Sequence, residues 1–170
     1  MNREKRLRRV ALLCVHFARN LAYSRAIHRS VLRKKEGDFW ITMQGNCIDT
    51  AVLEWCKLFG ENNGKHAWHR MVDDPELFKS ELLNNLHITE DVWETKRNEL
   101  RTYRDSFVAH LDSEETMNIP DMDLPFEMIK FYFNVILGYE NASTIFRGFP
   151  TNLNDYFLIH YDEAIARTKT

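Results

Sequence analysis

The stretch LRRVALLCVHFARNLAYSRAIHRSV (residues 7–31) determines the fold class that the sequence predicts. Apolar and small side chains recur in it at steps of three and four residues, which is the spacing of one face of an α-helix. The pattern predicts one long helix over residues 3–34, and EGD at 36–38 ends it. The predicted stripe consists of Val10, Leu13, Phe17, Leu21, Ser24, His28 and Val31.

The rest of the chain carries further helix signals, because cap residues and apolar periodicity recur along it. We expect an all-α fold, a helical bundle of four to five main helices plus short helices, in a single domain over residues 1–170. The second predicted helix covers about 38–59, with Trp40, Ile48, Val52, Trp55 and Phe59 buried. The later helices are predicted from the Asp74-Pro75 cap to about Leu86, from the Thr89 cap to about Ala109, from Pro125 to about Thr144, and over about 153–167.

Composition narrows the class of protein. With 44% hydrophobic and 28% charged residues, the chain is typical of a globular protein and not of a disordered one. Its longest late apolar run, FYFNVILGY (131–139), is shorter than the ~20 residues of a membrane span. The three cysteines form no C-x-x-C pair, which argues against a disulfide framework. We therefore expect a cytoplasmic protein with buried thiols and no membrane association.

Charge is distributed unevenly along the chain. Residues 1–36 contain eleven basic residues and two acidic ones, although the whole chain has a formal net charge of −2. A basic helix on an acidic body is typical of a phosphate-binding face. It is also compatible with a solvated helix surface or with the acidic face of a second subunit. Charge alone leaves these alternatives open.

The segment RTYRDSFVAHLD (101–112) carries the candidate chemistry. Trp93, Leu100 and Phe107 repeat every seven residues, so Phe107 should face a core or a subunit interface. On an ideal helix Arg104 and His110 lie about 60° to either side of Phe107. Polar groups beside a buried stripe are costly unless they have partners or a function.

Two interpretations of this pair remain open at this point. Arg104 could pair with a carboxylate of another helix while His110 bonds the last carbonyls of its own helix. Alternatively, the pair is catalytic. Asp105 should lie on the face opposite to Phe107, where Arg101 and Asp105 most simply form a surface ion pair.

The sequence of this segment closely resembles the motif of the HEPN superfamily, an Arg followed four to six residues later by His. The preceding segments CIDTAVLEWCKLFG (47–60) and HAWHRMV (66–72) are similar to the abortive-infection, Abi-U-like branch of that superfamily. There, a W-C-K-L-F-G segment precedes a His/Trp element and then Y-R-D. The resemblance spans roughly residues 45–112.

This resemblance implies a HEPN-like helical domain that dimerises and, in active members, a metal-independent endoribonuclease. The implied mechanism is transesterification, in which an RNA 2′-OH attacks the adjacent phosphate. His110 would move protons near neutral pH, and Arg104 would donate to the developing phosphorane charge. Asp105 matches the polar position of the signature. Tyr103, Lys57 and His66 are assigned as RNA-binding or supporting residues.

The partners implied by the resemblance are RNA, a second copy of the chain and an antitoxin or regulatory protein, in phage defence or a toxin-like role. We expect no cofactor and no metal. The alternative function is a non-catalytic HEPN-type module that binds a nucleotide or a partner protein. A weaker third option is a structural dimerisation domain.

Two metal sites are weaker alternatives. His66 and His69, with His110 or Cys56, have a poor spacing for zinc. Asp121 and Asp123 resemble a magnesium pair but are more simply part of a solvated acidic loop.

Overall fold

The computed structural model describes residues 2–30, 38–109, 118–139 and 141–168, and every regular element within these ranges is helical. The predicted all-α class is therefore confirmed. Two π-helical segments continue two of the helices, and we call them the first π segment (Cys56–Gly60) and the second π segment (Arg104–Ala109). The α-helices are α1 Arg3–Arg29, α2 Asp38–Trp55, α3 Pro75–Leu86, α4 Glu90–Tyr103, α5 Asp123–Leu137, α6 Ala142–Ile145 and α7 Leu153–Arg167, and a short 3₁₀ turn covers Trp68–Arg70.

Several helix starts lie where the cap residues predict them. The Asp74 side chain accepts a hydrogen bond from the Leu77 amide at 3.0 Å, and Pro75 occupies the first turn of α3. The Thr89 hydroxyl accepts from the Val92 amide at 3.3 Å at the start of α4. Side chains that satisfy the free amides of a first turn set these boundaries locally, which is why the sequence predicts them.

Two predicted helix ends were wrong. α1 ends at Arg29, and the Ser30 amide and hydroxyl donate to the Ile27 carbonyl at 3.0 and 2.9 Å while Ser30 itself is extended. The residues from 31 to 37 lie outside the described ranges. The predicted helix from Pro125 to Thr144 is two helices, because α5 ends before Gly138 and Asn141 adopts a left-handed conformation with φ 63°. Glycine and asparagine both favour such helix breaks.

α1 is the central helix of the described bundle. It packs against α2 and α7 and also against α5 and α6. Of its predicted stripe, Val10, Phe17, Leu21 and Ser24 are buried, Leu13 is half-buried and His28 is exposed, while Val31 lies outside the described residues. α1 buries more than one face because helices surround it, and its additional buried positions include the small residues Ala11, Ala18, Ala22 and Ala26.

An aromatic core holds the first π segment against α4 and α5. The ring centroid of Phe59 lies 5.4 Å from that of Trp55, 5.6 Å from that of Trp93 and 5.7 Å from that of Tyr132. All four side chains are buried. Aromatic contacts of this kind add to the free energy gained from apolar burial. The cluster therefore fixes Phe59 of the first π segment against α4 and α5.

Several arginines of α1 form ion pairs or hydrogen bonds with other parts of the fold. Arg3 pairs with Asp73 and Arg25 with Asp123, and the Arg8 guanidinium donates to the Ile145 carbonyl at 2.7 Å. The pairing of Asp123 accounts for one of the two carboxylates considered for magnesium. None of the helices within the described ranges is long and apolar enough to cross a lipid bilayer.

Candidate functional site

The candidate site begins where α4 changes its helical geometry. α4 buries Trp93 and Leu100, as predicted, and becomes π-helical at Arg104. A π-helix bonds residue i to i+5, so its turns are wider than those of an α-helix, and π segments occur frequently at functional sites. Phe107 is half-buried and its ring lies 5.7 Å from that of Tyr103. The motif therefore lies on the wider turn that follows a regular helix.

The Asp105 side chain is 56% exposed, and its carboxylate accepts a hydrogen bond from Arg104 Nε at 2.8 Å. The helical projection put Asp105 opposite Phe107 and about 100° from Arg104, and a hydrogen bond between these adjacent residues is compatible with that placement. The structure thus brings the predicted residues Arg104 and Asp105 together.

The Arg104 guanidinium is held by two carboxylates. Nη1 donates to Glu61, which follows the first π segment, and Nε donates to Asp105. The Arg104 side chain is only 17% exposed, whereas those of Glu61 and Asp105 are 43% and 56% exposed. The hydrogen bond that Arg104 donates to Asp105 raises the pKa of Arg104, despite the opposing effect of burial. Arg104 is therefore a fixed cation with accessible acidic partners.

The first π segment forms the floor beside Arg104. The Cys56 thiol donates to the Leu100 carbonyl at 3.7 Å, and an ideal Cβ on Gly60 would lie 3.4 Å from Cγ of Arg101. Arg97 donates to the carbonyls of Phe59 at 3.0 Å and of Gly60 at 3.4 Å. These bonds satisfy carbonyls at the end of the segment, which its own helix leaves without partners.

Cys56 is close to Arg104 but does not have the properties of a nucleophile. Burial raises the pKa of its thiol to about 12, which the positive charge of Arg104 only partly opposes. A thiol must ionise to attack or to bind a metal. The three cysteines Cys14, Cys47 and Cys56 are buried and free, as predicted.

Tyr103 connects α4 to α2. Its hydroxyl donates to the Asp49 carboxylate at 2.7 Å, and its side chain is buried. Burial, together with the hydrogen bond to Asp49, raises the pKa of Tyr103. In the described structure Tyr103 therefore joins the last turn of α4 to α2.

Lys57 and His66 belong to a neighbouring cluster. Lys57 Nζ lies 2.8 Å from a carboxylate oxygen of Glu54, and Nδ1 of His16 lies 3.7 Å from the other oxygen of that carboxylate. Glu54 is buried. Burial and the positive charges of nearby Arg and Lys side chains lower the pKa of His66.

Some residues of this region were missed at the sequence level. Glu61 pairs with a residue more than forty positions away, and no spacing rule connects such residues. Glu54 and His16 were missed for the same reason. The only signal was that Glu54 and Glu61 flank the W-C-K-L-F-G segment.

His110 and Asp112 lie outside the described residues. Within the described ranges, no group of three or more His, Cys, Asp or Glu side chains could hold a metal ion. His66 also lies among positive charges, which disfavour a bound cation.

Comparison of the chain with models of known protein families, with curated proteins and with solved structures gave no match.

Proposed function

We propose that this protein is a metal-independent endoribonuclease of the HEPN type, with a phage-defence or toxin-like role. Two findings support the proposal. The segment YRDSFVAHLD resembles the superfamily motif in sequence, and Arg104 within it is a fixed, partly accessible cation. The arrangement of Arg104 carries the proposal, because an immobilised guanidinium suits a phosphate group that gains negative charge.

In the proposed reaction, His110 takes the proton from the 2′-OH of a ribose, and the 2′ oxygen forms a bond to the adjacent phosphorus. Arg104 donates hydrogen bonds to the non-bridging phosphate oxygens as charge builds on them. The bond from phosphorus to the 5′ oxygen then breaks, and that oxygen receives a proton from the partner subunit's His110. The products are a 2′,3′-cyclic phosphate and a 5′-hydroxyl, and neither a metal nor a cofactor takes part.

The proposal includes a homodimer, since one histidine per chain supplies an acid and a base only when two chains meet. RNA is the proposed substrate, and an antitoxin or regulatory protein is a further proposed partner. Sedimentation equilibrium should give twice the chain mass of 20.3 kDa. A monomer at the concentration used for cleavage would contradict the shared site.

Cleavage of a mixed RNA pool by the purified protein in excess EDTA tests the proposal. We expect Arg104→Ala and His110→Ala each to lower the rate by at least about 100-fold, the size of effect typical of a lost proton-transfer group or transition-state donor. Arg147→Ala and His87→Asn are matched controls, because both wild-type residues are exposed and neither belongs to the site. His87 has a left-handed backbone with φ 53°, which asparagine tolerates.

The controls should cleave at the wild-type rate. Cleavage that survives both Arg104→Ala and His110→Ala would contradict the site assignment. Cleavage that EDTA abolishes would contradict the metal-independent mechanism.

A second candidate function is a non-catalytic HEPN-type module that binds a nucleotide or a partner protein. The ion pairs of Arg104 with Glu61 and Asp105 favour it, because an arginine that already has two acidic partners can be purely structural. In that case the wild-type protein cleaves no RNA, and Arg104→Ala lowers the melting temperature without changing any binding. The same cleavage and melting measurements separate the two functions.

A further inference from the structure

A second cluster of basic side chains includes residues of the loop that follows Glu61. Arg6 and Arg9 are one turn apart on α1, Lys57 belongs to the first π segment, and Lys65 and His66 follow in the loop after Glu61. The loop folds back on the π segment, since an ideal Cβ on Gly64 would lie 3.6 Å from the Lys57 carbonyl. The positive charges of Arg9, Lys57, Lys65 and Arg6 all act on the His66 ring.

Most of this positive charge has no acidic partner among the residues that the structure describes. Arg6, Arg9 and Lys65 form no ion pair within the described residues, whereas Arg3 and Arg25 of the same helix do. Lys57 pairs with Glu54, which is also near His16. Of these four cations only Lys57 forms an ion pair within the described residues, and an anion bound here would meet an excess of donors.

Two buried nitrogen atoms of the cluster also lack partners. Nε2 of His66 and Nε of Arg6 are buried and have no hydrogen-bond partner among the described residues. Buried polar groups without partners are rare because each costs free energy. The side chains of Arg9, Lys57 and Lys65 are exposed. The cluster thus combines a buried guanidinium nitrogen and a buried imidazole nitrogen, both without partners among the described residues, with three accessible cations.

We propose that Arg6, Arg9, Lys57, Lys65 and His66 form a second binding site, which takes a backbone phosphate group of RNA. A phosphate supplies several acceptor oxygens and negative charge, which match the guanidinium donors of Arg9 and the ammonium groups of the two lysines. Contacts of this type fix the position of a strand without reading its sequence. The site would hold the substrate strand beside Arg104, because Glu61 and His66 belong to one short loop.

The choice of RNA as the ligand rests on the proposed function, so the test separates binding from cleavage. The probe is a fluorescein-labelled single-stranded RNA oligonucleotide with 2′-O-methyl groups, which cannot undergo transesterification. Its affinity is measured by fluorescence anisotropy over a series of salt concentrations. The variants are Arg9→Gln and Lys65→Gln, whose exposed side chains can be changed without disturbing the core.

Arg29→Gln is the matched control, because Arg29 is an exposed arginine of the same helix, about 30 Å along its axis from Arg9. We expect Arg9→Gln and Lys65→Gln each to weaken binding by roughly three- to tenfold and to reduce the salt slope by about 0.7, the value for one phosphate contact on a single strand. Arg29→Gln should bind as the wild type does.

Equal affinity and equal salt slope for Arg9→Gln, Lys65→Gln and Arg29→Gln would overturn the second site. So would a wild-type protein that binds polyglutamate more tightly than the oligonucleotide, since that result assigns the cluster to an acidic protein. If Arg9→Gln weakens binding but the wild type cleaves no unmethylated RNA, the second site stands and the proposed nuclease fails. If the wild type cleaves RNA and Arg9→Gln binds normally, the second site fails and the proposed nuclease stands.

Discussion

At the scale of single residues, Arg104 explains most about the candidate site. Its guanidinium is fixed by Glu61 and Asp105, and both acidic side chains remain accessible to solvent. A phosphate group that binds Arg104 must compete with these carboxylates for the same donors. The acidic partners therefore both position the arginine and weaken its binding of anions.

Replacing Glu61 by Gln should tighten the binding of a non-cleavable RNA oligonucleotide. The gain should be at most about fivefold, because a partly exposed ion pair contributes roughly 0.2–1 kcal/mol. Fluorescence anisotropy measures the change. The matched control is Glu76→Gln on α3, an exposed glutamate away from Arg104, which should change the affinity little. Weaker binding by Glu61→Gln would mean that Glu61 mainly holds Arg104 in its binding position.

Cys56 should resist alkylation in the folded protein. Burial raises the pKa of its thiol to about 12. At pH 8 only about one thiol in 10,000 is then ionised, and the thiolate is the reactive form. Iodoacetamide labelling followed by peptide mass spectrometry should find Cys56 modified only after denaturation. Labelling of the folded protein at the rate of free cysteine would be inconsistent with this environment.

At the residue scale, the sequence could predict Arg104 but not its partners. The segment YRDSFVAHLD singles out Arg104, and the cap residues place it late in a helix. The partnership with Asp105 joins adjacent residues, and periodicity does not predict which way the two side chains turn. The partnership with Glu61 depends on how the first π segment packs against α4, and this is a tertiary effect.

At the scale of the elements, the two π segments and the contacts that hold them determine the geometry of the site. The first π segment is fixed by the aromatic core and by Arg97, and the second follows α4 directly. Tyr103, the last residue of α4, connects that helix to Asp49 of α2. The boundary between α-helical and π-helical geometry is therefore braced from α2.

Tyr103→Phe should lower the free energy of unfolding by about 1–2 kcal/mol, because the half-buried Asp49 carboxylate loses a hydrogen-bond donor. Urea denaturation measures this change. Tyr161→Phe is the control, since the Tyr161 hydroxyl has no hydrogen-bond partner within the described ranges, and its effect should stay within about 0.5 kcal/mol.

The effect of Tyr103 should also depend on pH. Its pKa is raised in the folded protein, so the folded state holds this proton more tightly than the unfolded state. The resulting stabilisation is fully present below the ordinary tyrosine pKa of about 10 and is lost as the pH rises above it. The wild type should therefore lose stability above pH 10 more steeply than Tyr103→Phe. Parallel curves for the two proteins would contradict the raised pKa.

Two glycines allow a matched test of the packing around the first π segment. An ideal Cβ on Gly60 would lie 3.2 Å from Cβ of Cys56, whereas a Cβ on Gly45 in α2 would meet nothing within 4 Å. Gly45→Ala should stabilise the protein by about 0.5–1 kcal/mol, through lower entropy of the unfolded chain. Gly60→Ala should destabilise it by at least about 1 kcal/mol through crowding. Stabilisation by both substitutions would show that the π segment tolerates a side chain.

At the scale of the whole molecule, the described structure is a helical bundle around α1. The all-α class follows from local patterns, and helices α3, α4 and α7 start where their cap residues or periodicity predict. The sequence analysis missed the ends of α1 and α5 because apolar periodicity continues past both, although Gly138 and Asn141 mark the end of α5 in the sequence. The ion pairs of the α1 arginines join residues that are far apart in the chain, so the sequence does not predict them. The likeness to the HEPN fold stays a proposal.

The charge asymmetry along the chain acquires a more specific meaning from the structure. The basic residues of α1 divide into those paired within the bundle, such as Arg3 and Arg25, and those without an ion pair in the described part of the chain, such as Arg6 and Arg9. The positive charges of the second group act on the His66 ring together with those of Lys57 and Lys65. A count of charges predicts a basic helix, but only packing identifies the part of that helix which is available to a ligand.

The central claim is that the protein cleaves RNA by transesterification without a metal. The most direct test is to digest a defined RNA with the wild-type protein in excess EDTA and to determine the product ends by mass spectrometry. We expect 2′,3′-cyclic phosphate and 5′-hydroxyl ends, which should be absent when His110→Ala replaces the wild type. Intact RNA after digestion, or products with 3′-hydroxyl and 5′-phosphate ends, would contradict it.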